Sequence, residues 1–154
     1  MKELRVTSKC QNYQYFRLYA INEEAKNPLG IVGLNPSIIK NGKNSTVSIL
    51  SQIALREGYD SLIITNLYGY ITPNPKELKA IDDPVGPEND MWINDMVKTC
   101  DKVLCIWGNN ASNDRIEKVL PLIKQKAYTI GLTKSGKPRH VLHTRKDVKL
   151  KKYS

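Results

Sequence analysis

At 154 residues, 40% hydrophobic and 25% charged, with a formal net charge of +9, the chain has the size of one domain and a composition that excludes wholesale disorder. No apolar run approaches the roughly 20 residues of a membrane span. The polar start Met1-Lys2-Glu3-Leu4-Arg5 has no apolar signal core, so a cytoplasmic protein is expected.

The aromatic, β-prone run from Tyr15 to Ile21 predicts a first strand, with Asn22-Glu23-Glu24 as a turn. Leu29 to Leu34 predicts a second strand, read as antiparallel to the first. It stops at Asn35-Pro36-Ser37, where proline has no N–H to donate to a ladder. Val47, Leu50, Ile53 and Ala54 recur at helical spacing and predict a helix over 46–58, with Gly58 as its C-terminal stop. Ser61 to Thr65 is a continuous apolar run, the pattern of a strand buried on both faces of a parallel sheet. It ends in Asn66 and a proline-punctuated loop, and residues 77–87 read as irregular. A helix over 89–100 is expected to turn Met91, Trp92, Met96 and Val97 inward. Lys102 to Trp107 predicts a third buried strand, Ser112 a helix cap, and Ala127 to Leu132 a fourth strand. Strands alternating with helices predict an α/β domain over 1–144, followed by a basic tail over 145–154. Its central sheet is expected to be mostly parallel and flanked by helices, with an N-terminal antiparallel strand pair.

In such a sheet, ligands bind beyond the carboxyl ends of the strands. One strand end there is Gly33-Leu34-Asn35-Pro36-Ser37, where Asn35 either holds a water or ligand carbonyl or caps the turn. At another, Asn66 either reads the hydrogen-bonding edge of a base or serves as a satisfied structural amide. Tyr68 and Tyr70 nearby are either stacking platforms or buried tyrosines with bonded hydroxyls. His140 and His143 are the only histidines. No Cys, Asp or Glu of matching spacing lies close to them, and Cys10, Cys100 and Cys105 lack CxxC spacing, so no metal is predicted. A single histidine in proton transfer or electrostatic stabilisation fits better. GxGxxG, GxxxxGK[ST], GxSxG and HExxH are all missing, which removes the usual sequence support for dinucleotide, P-loop, esterase and metalloprotease chemistry.

Charge gathers towards one end. From Lys134 to Lys152 there are eight basic residues and one acid, so this stretch holds +7 of the total +9. It reads either as a phosphate-backbone contact, with Lys134, Lys137, Arg139, Arg145 and Lys146 as candidates, or as a solvated tail.

Taken together, Ile31-Val32-Gly33-Leu34-Asn35-Pro36-Ser37, Ile64-Thr65-Asn66-Leu67-Tyr68, Pro84-Val85-Gly86-Pro87-Glu88-Asn89-Asp90, Ile106-Trp107-Gly108-Asn109 and Gly136-Lys137-Pro138-Arg139-His140 resemble the domain-of-unknown-function 1643 family over about residues 14–144. More widely, the chain is similar to the uracil-DNA glycosylase superfamily. That resemblance implies a pocket of Gly33, Leu34, Pro36, Ser37, Asn66, Tyr68 and Tyr70, with Asn35 positioning a water and His140 contacting the base carbonyl. The chain departs from the family pattern after His140, where Val141-Leu142 replace Pro and Ser. Asn44-Ser45-Thr46 also stands where an Asp-Pro-Thr run would carry an acid. Losing a general base typically costs about 10²–10⁴-fold in rate. The expectation is therefore a glycosylase-like protein that binds DNA, through uracil or another everted base, with weak or no excision and no cofactor. The alternatives are an active glycosylase on uracil or a modified base, and a silent homologue acting through a protein partner.

Overall fold

The computed structural model describes residues 2–37, 45–143 and 147–153. Seven strands form one sheet: β1 (Lys2–Thr7), β2 (Gln14–Ala20), β3 (Pro28–Gly33), β4 (Ser61–Asn66), β5 (Val103–Cys105), β6 (Ala127–Thr129) and β7 (Lys151–Lys152). The helices are α1 (Ser45–Arg56), α2 (Asn89–Thr99) and α3 (Asn113–Ile123). Strand order is β1-β2-β4-β3-β5-β6-β7. The sheet is mixed. β4, β3, β5 and β6 run parallel, while β1, β2 and β7 join antiparallel at the edges, giving three pairings of each kind.

This corrects the expected N-terminal pair. β2 and β3 are not neighbours, because β2 pairs antiparallel with β4 on one side and with β1 on the other. The short turn between β2 and β3 suggested a hairpin, but β3 takes the position between β4 and β5. All six residues of β3 and of β4 are buried, as continuous apolar runs require of central strands covered on both faces.

One face packs on α1, joining Leu29, Ile31, Leu62, Ile64 and Leu104 to Val47, Leu50 and Ile53. The other packs on α2 and α3, joining Val32, Ile63, Val103 and Cys105 to Ile93, Met96, Ile116, Val119 and Ile123. Each such fully buried aliphatic contributes about 1.5–3 kcal/mol. α1 ends at Arg56, and Gly58, the expected stop, follows two residues later with a φ of 90° in the left-handed region that favours glycine. Ser112 caps α3, its Oγ accepting the Arg115 N–H at 3.2 Å.

The phase of α2 differs from expectation. Asn89, Ile93 and Met96 are buried, while Met91 is 55% exposed. Trp92 and Val97 flank the buried stripe, with Trp92 against Phe16 at 5.2 Å between ring centroids. Within the loop read as irregular, Pro75–Ala80 forms a short 3-10 helix capped by Asn74, whose Oδ1 accepts the Lys76 N–H at 3.2 Å. Among the described residues, no helix is long and apolar enough to cross a membrane.

A candidate ligand cavity at the carboxyl ends of the strands

Along the chain, the four parallel strands occupy the spatial order second, first, third, fourth, so connections diverge between β3 and β5. A cavity of about 770 Å³ opens at that end of the sheet, on the α1 face, lined by residues that include Ile31, Gly33, Ile64, Asn66 and Ile106. This is where a parallel α/β sheet makes room for a ligand.

Gly33 and Asn66 are register partners at the ends of β3 and β4. Their pairing continues past the strands, Leu67 N–H donating to Gly33 O and Tyr68 N–H to Leu34 O, each at 2.9 Å. A Cβ on Gly33 would stand 2.7 Å from Asn66 Oδ1, so glycine here leaves the space that the amide occupies. Asn66 is only 7% exposed. Its side chain makes no hydrogen bond among the described residues, although its backbone carbonyl is well held.

That hold comes from the opposite face. Asn89 Nδ2 donates to Asn66 O at 2.8 Å and to Leu67 O at 3.2 Å. Arg115 Nε donates to Leu67 O at 2.7 Å, and its guanidinium forks onto Asp90 at 2.5 and 3.3 Å. Bidentate charge-assisted bonding of this kind fixes orientation as well as contributing energy. The Pro84-to-Asp90 motif, through Asn89 and Asp90, thus braces the strand end that presents Asn66.

Asn35 is half-buried in the cavity wall, and its Nδ2 donates to Thr72 O at 2.8 Å and Pro36 O at 3.0 Å. Its nitrogen therefore pins the 70–75 loop, while Oδ1 accepts nothing among the described residues and is free to accept a hydrogen bond from a water. Leu34, Pro36 and Ser37 line the same wall. His140 lies at the rim, its Nδ1 accepting the Leu142 N–H at 3.1 Å, which places the neutral ring's proton on Nε2.

Tyr68 and Tyr70 do not line the cavity. Tyr68 is buried towards α3, its hydroxyl donating to Ser112 Oγ and accepting the Ser112 N–H, both at 3.1 Å. Tyr70 packs edge-on against Tyr13 at 5.9 Å.

Of the five candidate backbone contacts, Lys134 and Arg139 reach the cavity. Lys137 instead ties two loops together, its Nζ donating to the carbonyls of Asn109 and Ala111. Arg145 and Lys146 lie outside the described residues.

Sequence reasoning missed Gln14 and Arg17, which line the cavity from β2. The available signal was a lone charge inside the aromatic run of the first strand. Arg17 is 7% exposed, with its Nε 3.2 Å from Glu3 Oε1 and its guanidinium 4.8 Å from the Tyr19 ring centroid. Burial pulls its pKa below the ordinary value and Glu3 opposes that shift. Arg17, Lys134 and Arg139 give the lining three cations, and no Asp or Glu lines it among the described residues. The same residues hold no cluster of three metal-ligating side chains.

The architecture is that of a mixed α/β domain with a cavity at the carboxyl ends of its parallel strands. A family model described as a protein of unknown function, DUF1643, matches residues 15–142, and the chain belongs to that family. No curated protein and no solved structure matches the chain.

Proposed function

We propose that this chain is a uracil-DNA-glycosylase-like protein that binds DNA through an everted base, uracil or another, with weak or no base excision. The observation that carries the reading is Asn66: an amide 93% withdrawn from solvent, aligned beside a glycine in a cavity, with donor and acceptor unpartnered among the described residues. Buried polar groups of this kind are normally satisfied, and an empty amide edge matches the paired donor and acceptor of a nucleobase. Contacts of that type offset the few kcal/mol required to extrude a base.

The charge of the lining supports binding over catalysis. Excision passes through a cationic, oxocarbenium-like sugar, which a lining of three cations and no carboxylate among the described residues leaves poorly stabilised. Asn35 can hold a water through Oδ1 but cannot take its proton. An anionic nucleic acid suits the same lining.

The test is a combined binding and abasic-site cleavage assay on labelled single- and double-stranded oligonucleotides with and without uracil. The expected result is retention without strand scission, weakened about 10–100-fold by Asn66→Ala, since a bidentate base contact is worth about 1–3 kcal/mol. Scission that requires both Asn35 and Asn66 makes the protein an active glycosylase. No binding even at low salt overturns the nucleic-acid reading and points to a protein partner.

A further inference from the structure

Beside the base cavity lies a second recess of about 600 Å³, beneath the turn that joins β1 to β2. Arg5, Thr7, Ser8, Lys9, Gln11 and Ile71 line it, and it shares Gln14 and Ser37 with the cavity, so the two lie side by side. No acid and no aromatic ring lines this recess among the described residues. Hydroxyls, amides and two cations offer hydrogen-bond donors and positive charge, but nothing on which a base could stack. Such a lining suits a phosphodiester backbone.

The turn is braced before any ligand arrives. Ser8 N–H donates to Tyr13 O at 2.9 Å, Gln11 N–H to Ser8 O at 3.0 Å, and Tyr13 N–H to Ser8 Oγ at 3.1 Å. Lys9 is exposed and forms no ion pair among the described residues. Glu3 is shared between Arg5, which lines the recess, and Arg17, which lines the cavity, so the trio keeps one net positive charge.

The C-terminal run behaves differently. Lys137 Nζ donates to the Asn109 and Ala111 carbonyls, Arg139 Nε to Leu132 O, and Lys152 Nζ to Gln125 O. Three of the eight basic residues in that run are thus engaged in holding loops and the β7 edge.

We propose that the recess under the β1–β2 turn is the track for the phosphates of a single nucleic-acid strand leaving the Asn66 cavity, with Arg5 and Lys9 as its contacts. This rests on the reading of the cavity as a base site. The volume and lining of the recess offer room, positive charge and hydrogen-bond donors to one phosphodiester backbone.

The experiment measures anisotropy of a labelled oligothymidylate carrying one deoxyuridine across a salt series, with free deoxyuridine titrated in parallel. Wild type is compared with Lys9→Glu, with the pair Arg5→Ala and Lys9→Ala, and with the pair Lys149→Ala and Lys151→Ala. Removing two phosphate contacts should lower the slope of log affinity against log salt by about 1.4 and weaken oligonucleotide binding roughly tenfold at low salt. Deoxyuridine binding should stay unchanged, and Lys9→Glu, which disturbs no internal contact, should act in the same direction. An unchanged slope in the turn variants, or a loss that follows the C-terminal pair, overturns the track while deoxyuridine binding keeps the base site. Failure of wild type to bind either ligand overturns both.

Discussion

On the α2/α3 face of the sheet, the Asn89 amide gives its hydrogens to the carbonyls of Asn66 and Leu67, whereas on the α1 face the Asn66 amide has no partner among the described residues. One face is closed by apolar packing and a charge-assisted network. The other stops short of the strand ends and leaves a cavity. The difference teaches where order and vacancy come from: the closed side holds the backbone of residues 66 and 67 rigidly, so that the open side can present an unmatched amide at a fixed place. A floppy amide would find its own partner, and holding it still avoids that collapse.

The sharpest way to break this division is to remove its brace. Arg115→Ala leaves the buried Leu67 carbonyl without its charged donor and should cost about 2–3 kcal/mol. For a chain of this length that is about 5–10 °C in Tm, read by thermal denaturation. The half-exposed Asp90 can recover water, which keeps the loss below that of a fully buried ion pair. A Tm within a degree of wild type would show that the network does not hold the strand end.

The closed face also hides two thiols. Burial pushes Cys100 up from an ordinary 9.0 to about 12, and Cys105 well above its ordinary range. Between pH 9 and about 12 the unfolded Cys100 releases its proton while the folded one keeps it, so the unfolded state binds fewer protons and stability falls as pH rises. The decline should approach about 1.4 kcal/mol per pH unit for each thiol, measured from urea midpoints, and should be shallower in Cys100→Ala. A profile identical in both proteins would count against burial as the cause. Cys10, exposed and lowered by its hydrogen bond to Ser8 Oγ, should meanwhile react freely with a thiol reagent.

The smallest effect on folding sharpens the comparison most. In Gly33→Ala the new methyl meets a single side-chain oxygen, which can rotate away, so stability should change by less than about 1 kcal/mol. The displaced Asn66 amide should nonetheless lose ligand, lowering oligonucleotide affinity to that of Asn66→Ala. Retained affinity would mean that the Asn66 edge is not what the ligand meets.

Much of this organisation is legible in the sequence, for identifiable reasons. The parallel strands announce themselves because burial on both faces writes continuous apolar runs such as Ser61 to Thr65, and their ends name Asn35, Asn66 and His140 directly. Ser112 and Gly58 mark helix ends through local chemistry. Strand order is not local: nothing between Tyr15 and Leu34 says that β4 will lie between β2 and β3 in the sheet. β1 was missed because an edge strand carrying Lys2, Glu3 and Arg5 has little apolar signal. Arg17 was passed over because its meaning depends on a neighbour more than 40 residues away, Ile64, which sets it on the cavity side of the sheet. Tyr68 was misplaced for the complementary reason: the chain turns at Leu67, so the alternation that put Asn66 in the cavity no longer applies.

Trp107, nearly buried, lines the cavity and packs edge-on against Tyr153 at 6.0 Å. The other indole, Trp92, does not line the cavity and is half-buried against Phe16. The molecule thus carries an optical gauge and its own reference: an occupant arriving beside Trp107 should alter one emission component and leave the other steady, so occupancy can be followed with no dye attached.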